Sequence, residues 1–155
     1  MQHYALTEDG SLQAVGDCSG KTPFFTIMTT EELHGHKEAI TCYKELLHSL
    51  GSIRYCKAEL FKSCIIGTLR LPQKSNQRTP LLSLCFYLTG QSLLFVEDTG
   101  DLKAWLEKRI ELFQELQTPA QLLLRFMEQM IEDDVLYLSH IESETEKLEE
   151  KAIDV

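Results

Sequence analysis

The chain is short of positive charge: 15 Lys and Arg stand against 24 Asp and Glu, a formal net charge of -9. Such a surface repels phosphate backbones and anionic headgroups, which removes nucleic acid from the expected partners. Long apolar runs are missing too. The longest, around Leu93 to Val96 and Leu122 to Leu124, fall far short of the roughly 20 residues a bilayer crossing needs, so no direct membrane insertion by this segment is expected. The five cysteines, Cys18, Cys42, Cys56, Cys64 and Cys85, are odd in number and never spaced Cys-x-x-Cys. The N-terminus carries no basic and apolar secretion signal, and together these absences predict a reduced, cytosolic chain without a disulfide framework. No Gly-rich phosphate loop follows a predicted strand and no Ser sits in a nucleophile elbow, so neither an enzyme nor an organic cofactor is expected.

What is present is an ordinary soluble composition, 43% hydrophobic and 25% charged over 155 residues, enough for one domain with its own core. Tyr4 and Leu6, then Leu12 and Val15, alternate around Asp9-Gly10, a hairpin signal. A third strand is predicted over Pro23 to Met28. Thr29 and Thr30 ahead of Glu31 and Glu32 mark a helix start that Gly35 interrupts, and a main helix is predicted over Lys37 to Leu50 with Gly51 as its stop. Tyr55 to Phe61 and Cys64 to Leu71 read as paired strands, Pro72 to Pro80 as a loop, and Leu82 to Leu88 with Ser92 to Val96 as a second hairpin. Asp98 or Thr99 is placed to cap a helix whose stripe of Leu102, Leu106, Ile110 and Phe113 runs to about Leu116.

Thr118-Pro119 opens a last helix with Thr as cap and Pro at the first helical position, and no later Gly or Pro stops it. The expected fold is therefore α/β (α+β): a mixed, largely antiparallel sheet flanked by helices in 1–118, followed by a long, projecting acidic helix over 119–155. At 100° per residue Leu123, Met127, Met130, Asp134, Leu138, Ile141, Thr145, Leu148 and Ala152 share one stripe. Asp134 lies in the middle of it, beside Asp133 and Glu132. A carboxylate on an apolar seam is costly if buried alone, so it faces water or takes a proton, a cation or a basic partner. Two readings follow: the helix leaves the domain at that point, or the cluster holds a hard cation such as Mg2+, which favours one or two carboxylates plus retained water.

The other candidate sites have plainer readings. His34-Gly35-His36 offers two ring nitrogens without a third local ligand, which disfavours zinc. Cys56, Cys64 and Cys85 lie in predicted strands and read as small core residues. Phe61, Phe86, Tyr87 and Phe95 alternate with aliphatic residues and have no basic surface beside them, so core packing is expected over base stacking.

Three stretches, YCKAELFKSCIIGTLRLP (55 to 72), LSLCFYLTGQSLLFVED (82 to 98) and LLLRFMEQMIEDDVLYLSHIESETEKLEE (122 to 150), together resemble the CorA family of divalent-cation transporters. The resemblance covers roughly the last hundred residues well and the earlier ones in outline. It implies a cytoplasmic regulatory domain, on the cytoplasmic side of the membrane, in a pentameric channel for magnesium or cobalt. The family's regulatory cations sit between neighbouring subunits on acidic side chains, and its Asp pair in the helix after the sheet matches Asp133 and Asp134. The family's long stalk helix, two membrane helices and Gly-Met-Asn motif are absent from this sequence, which leads to the expectation of a chain continuing into a helical and membrane region. The alternative is a stand-alone interaction module whose acidic helix docks on a partner protein. A small hydrolase using Glu132, Asp133 or Asp134 is the third reading.

Overall fold

The computed structural model describes residues 1–16, 23–51, 53–72 and 81–153, with backbone alone at 71, 72, 81, 133, 134 and 137. The chain divides into two units, Met1–Leu123 and Leu124–Val155. In the first unit the Asp9-Gly10 signal gives the expected hairpin of β1 (Gln2–Leu6) and β2 (Leu12–Val15). Its connection is longer than a two-residue turn, running from Thr7 to Ser11. The Asp9 carboxylate gathers it by accepting from the Thr7 hydroxyl and from the Ser11 amide and hydroxyl at 3.3 and 3.1 Å. Gly10 stands at φ +80°, and a Cβ there would meet the Leu116 carbonyl oxygen at 2.8 Å. The glycine serves both the turn and the close passage of the later chain, which it binds through Leu116 N to Gly10 O at 2.9 Å.

Seven described strands form one sheet in the order β2-β1-β3-β7-β6-β5-β4. The others are β3 (Phe25–Met28), β4 (Lys57–Leu60), β5 (Ile65–Pro72), β6 (Leu81–Leu88) and β7 (Leu93–Val96). Only β3 and β7 pair in parallel; the remaining neighbours are antiparallel. This is the mixed, largely antiparallel sheet that the strand pattern predicted. Every residue of β3 and β7 is buried, so the centre of the sheet is covered on both faces. On one face Met28, Ile66, Tyr87, Leu94 and Val96 pack with Leu33 of α1 (Thr30–Gly35) and Leu46 of α2 (Tyr43–Leu50). By the two-residue pleat Phe95 points to the opposite face, where its ring meets Phe25 edge-on and Phe25 stacks on Tyr4.

Two helices differ from the sequence expectation. The segment from Lys37 begins as a short 3-10 turn, Lys37–Ala39, and the α-helix proper starts only at Tyr43. Ile40 is extended and Cys42 is left-handed at φ 61°, so the backbone turns sharply before α2 although the apolar spacing runs on. The helix after β7, α3 (Asp101–Glu107), ends well before Leu116, where a 3-10 turn at Ile110–Leu112 replaces it. Phe113 and Leu116 are buried all the same: they reach the core from irregular backbone, which a helical stripe cannot distinguish. The predicted loop over Pro72 to Pro80 lies almost wholly outside the described residues.

The capping of these helices meets expectation in part. Thr29 caps α1 in a reciprocal box with Glu32, as the Thr-x-x-Glu spacing implies. Asp98, by contrast, does not cap α3. Its carboxylate accepts from the Thr30 amide at 2.7 Å and the Thr30 hydroxyl at 2.8 Å, tying α1 to the chain beyond β7. The Thr99 alternative is met in part, its hydroxyl accepting from Asp101 N at 3.2 Å, and the rest of the approach to α3 is served by Glu97, only 4% exposed. Its carboxylate accepts from the Thr99 amide, from Gly100 N at 2.9 Å and from Leu102 N at 3.4 Å.

Candidate functional site

The long helix α4 spans Pro119–Ile153. Its start is fixed locally: the Thr118 hydroxyl accepts from Gln121 N at 3.2 Å, and Gln121 Oε1 accepts from the Gln117 and Thr118 amides at 2.7 and 3.1 Å. No Gly or Pro follows before its end. Leu122, Leu123 and Phe126 are buried, whereas from Ile131 onward every described side chain is exposed. Leu138, Ile141 and Leu148 on the predicted stripe are therefore in the open, and so are Leu136 at 71% and Ile153 at 83% exposure.

Asp133 and Asp134 fall within this helix, just past the point where burial ends, and their side chains lie outside the described residues. The carboxylates preceding them are engaged along the helix: Glu128 with Arg125 at 3.1 Å and Glu132 with the Gln129 amide at 3.2 Å. Beyond them Lys147 pairs with Glu144 at 2.9 Å, and this hydrogen bond holds the Glu144 carboxyl below its ordinary range. Glu142, Glu146, Glu149 and Glu150 are all exposed. Their spacings of three and four residues place like charges next to each other, each such pair costing about 0.2–0.5 kcal/mol. The far half of α4 thus carries excess negative charge that a cation or a basic partner would relieve. Among the described residues no three His, Cys, Asp or Glu side chains converge on a metal position.

The other candidates separate. His34 Nδ1 meets the Tyr43 hydroxyl at 2.6 Å, and His36 Nδ1 meets the Glu32 carbonyl at 2.9 Å, so the two rings serve different local partners. Cys64 and Cys85 are buried core residues as expected. Burial pushes their thiols up to about 11 and about 12. Cys56 is not a core residue: it precedes β4, is exposed, and its sulfur accepts from Arg70 N at 3.4 Å. Phe86, Tyr87 and Phe95 are in the core. No reading of the sequence singled out Glu97, because a lone Glu after a Val-ending strand looks like any surface carboxylate.

No family model and no curated protein sequence matches the chain. Solved structures do. The full-length CmaX protein aligns over 93% of this chain with a TM-score of 0.74 at 12% identity. The ZntB cytoplasmic domain from Vibrio parahaemolyticus aligns over 92% with a TM-score of 0.70, also at 12% identity. This chain has the fold that these two structures share. It spans 49% of the length of the CmaX chain and 62% of that of the ZntB domain. The fold expected from the three quoted stretches is the fold observed, and the agreement at such low identity reflects a shared backbone plan.

Proposed function

We propose that the chain is a cytoplasmic domain of a CorA-like divalent-cation transporter and that it senses the transported ion. The observation that carries this reading is the likeness to the ZntB cytoplasmic domain over 92% of the chain, combined with an exposed acidic helix in the segment that resembles CorA. No helix among the described residues is long and apolar enough to cross a membrane, so conduction belongs to other parts of such a transporter. Asp133 and Asp134 are the proposed regulatory ligands for magnesium, with cobalt as a second ion. Bound cations would offset repulsion between the acidic faces of neighbouring subunits in a pentamer and favour the closed state. Their release as the free ion falls would free the subunits to move.

The test is the double substitution Asp133→Ala with Asp134→Ala in the intact transporter, read as the magnesium concentration that halves transport. A rightward shift is expected, and an unchanged value removes these residues from the sensing role. The exposed Leu136, Leu138, Leu148 and Ile153 favour a second reading, a helix that docks on a partner protein with no transport role. Light scattering of this chain with and without millimolar magnesium separates the two, since cation-linked assembly is expected only of the first.

A further inference from the structure

Cys64 stands just before β5 inside the core, at 4% exposure, in the cluster that includes Leu33, Leu46, Ile66 and Tyr87. Cys42, partly exposed, packs against that same cluster from the left-handed turn before α2. Both thiols are free and belong to one packed cluster, near enough for Cys42 to raise the cost of ionising Cys64. The Tyr87 phenol lies beside both and is itself anchored by Thr41. Two reduced thiols in one cluster, one partly exposed and one buried, match the arrangement in which an outer cysteine reacts first and an inner one resolves.

We propose that Cys42 and Cys64 are a reversible thiol pair that closes to an intramolecular disulfide when the chain meets an oxidised low-molecular-weight disulfide such as glutathione disulfide. In the first step the Cys42 thiolate attacks one glutathione sulfur; the glutathione S–S bond breaks and one glutathione leaves and takes a proton. In the second, Cys64 loses its proton and attacks the Cys42 sulfur of the mixed disulfide, releasing the second glutathione. Two protein thiols are oxidised and one external disulfide is reduced to two thiols. The closed link ties the turn before α2 covalently to the start of β5. In a reducing compartment such a bond is transient, which suits a sensor more than a structural staple.

Cys64 sets the rate. Burial, the Cys42 thiol and the charge of Glu45 raise its pKa to about 11, against a lowering contribution from Tyr87. The resolving step is therefore slow near neutrality and speeds up by about tenfold for each unit that pH rises toward that value. The test treats the folded 155-residue chain with a glutathione redox buffer, followed by acid quench, alkylation and peptide mapping. A linked Cys42–Cys64 peptide, lighter by two hydrogens and lost on adding dithiothreitol, is the expected product. Cys56→Ser should form it unchanged and Cys42→Ser should not, while Cys64→Ala should stop at glutathione on Cys42. Because Cys64→Ala removes a buried group, the parent and Cys42→Ser decide alone. The proposal is overturned if the parent holds glutathione on Cys42 without forming the linked peptide at alkaline pH, or forms it only in denaturant.

Discussion

Glu97 offers the sharpest test of how this fold is held. It is a buried carboxylate held by backbone amides. α3 begins at Asp101 after Gly100, which is left-handed and caps nothing with a side chain, so Glu97 and the Thr99 hydroxyl supply the acceptors around its start. Glu97→Ala strands the amides of Thr99 and Gly100 and removes the longer contact of Leu102. At about 1–3 kcal/mol for each buried unsatisfied group, the loss comes to about 3 kcal/mol. Spread over a urea dependence of about 2 kcal/mol per molar, it lowers the unfolding midpoint by about 1.5 M. The only tryptophan, Trp105, sits in α3 itself, so its fluorescence follows the affected helix directly. Glu97→Gln keeps one acceptor oxygen and should fall about halfway between. A midpoint for Glu97→Ala within about 0.3 M of the parent would refute the capping role and leave the burial of this carboxylate unexplained.

Two further outcomes follow from the first unit. A Cβ at Gly67 would lie 2.2 Å from the Phe86 ring and 2.5 Å from the Lys57 carbonyl oxygen; Gly67→Ala should therefore cost about 2–3 kcal/mol in urea unfolding, and a cost below about 0.5 kcal/mol would mean the β4–β5–β6 register differs. The hydrogen bond from Thr7, then those from Ser11, hold the Asp9 carboxyl below its ordinary value of 3.8. A depressed carboxylate contributes stability above the unfolded value and loses it as pH falls through the folded one. Asp9→Asn should thus loosen the β1–β2 hairpin at neutral pH, read by amide exchange, and match the parent once both are well below pH 3.8. A difference that persists in acid would place its cause outside this ionisation.

The sheet was legible because strand signals here are local. Asp9-Gly10 and Thr89-Gly90-Gln91 bracket alternating or continuous apolar runs, and the hairpins sit where those turns put them. Helix limits were less legible. Ile110, Phe113 and Leu116 keep helical spacing while the backbone beneath them is a 3-10 turn and a left-handed Glu115 at φ 57°. Spacing records which residues are wanted in the core and says little about the path that delivers them. Cys42 repeats the lesson before α2. The exchanged roles of Glu97 and Asp98 were hidden for a related reason: adjacent carboxylates point to different helices, and only tertiary contact tells which serves which. Asp134 stands out by its position on a seam and Asp133 joins it by resemblance to a family, and spacing along one helix cannot supply further ligands.

The far half of α4 puts the candidate site to its most direct physical test. Up to Phe126 the helix carries buried side chains, and burial protects helical amides as far as the local core resists opening. Past Ile131 its apolar residues are exposed and its acidic neighbours repel. What remains is helix propensity and pairs such as Glu144–Lys147, each worth only tenths of a kcal/mol, so a stretch of this length is marginal as a lone helix in water. Amide exchange should therefore be at least about a hundredfold faster over 140–153 than over 122–130, a gap of about 2.7 kcal/mol. Dilute protein is the necessary condition, because self-association would cover the exposed residues. Uniform protection that survives dilution would show a helix far more stable than these contacts allow, and would refute the reasoning. Protection that rises with magnesium at constant protein concentration would indicate that relief of carboxylate repulsion, rather than burial, orders this segment, which is the behaviour required of a cation-sensing helix.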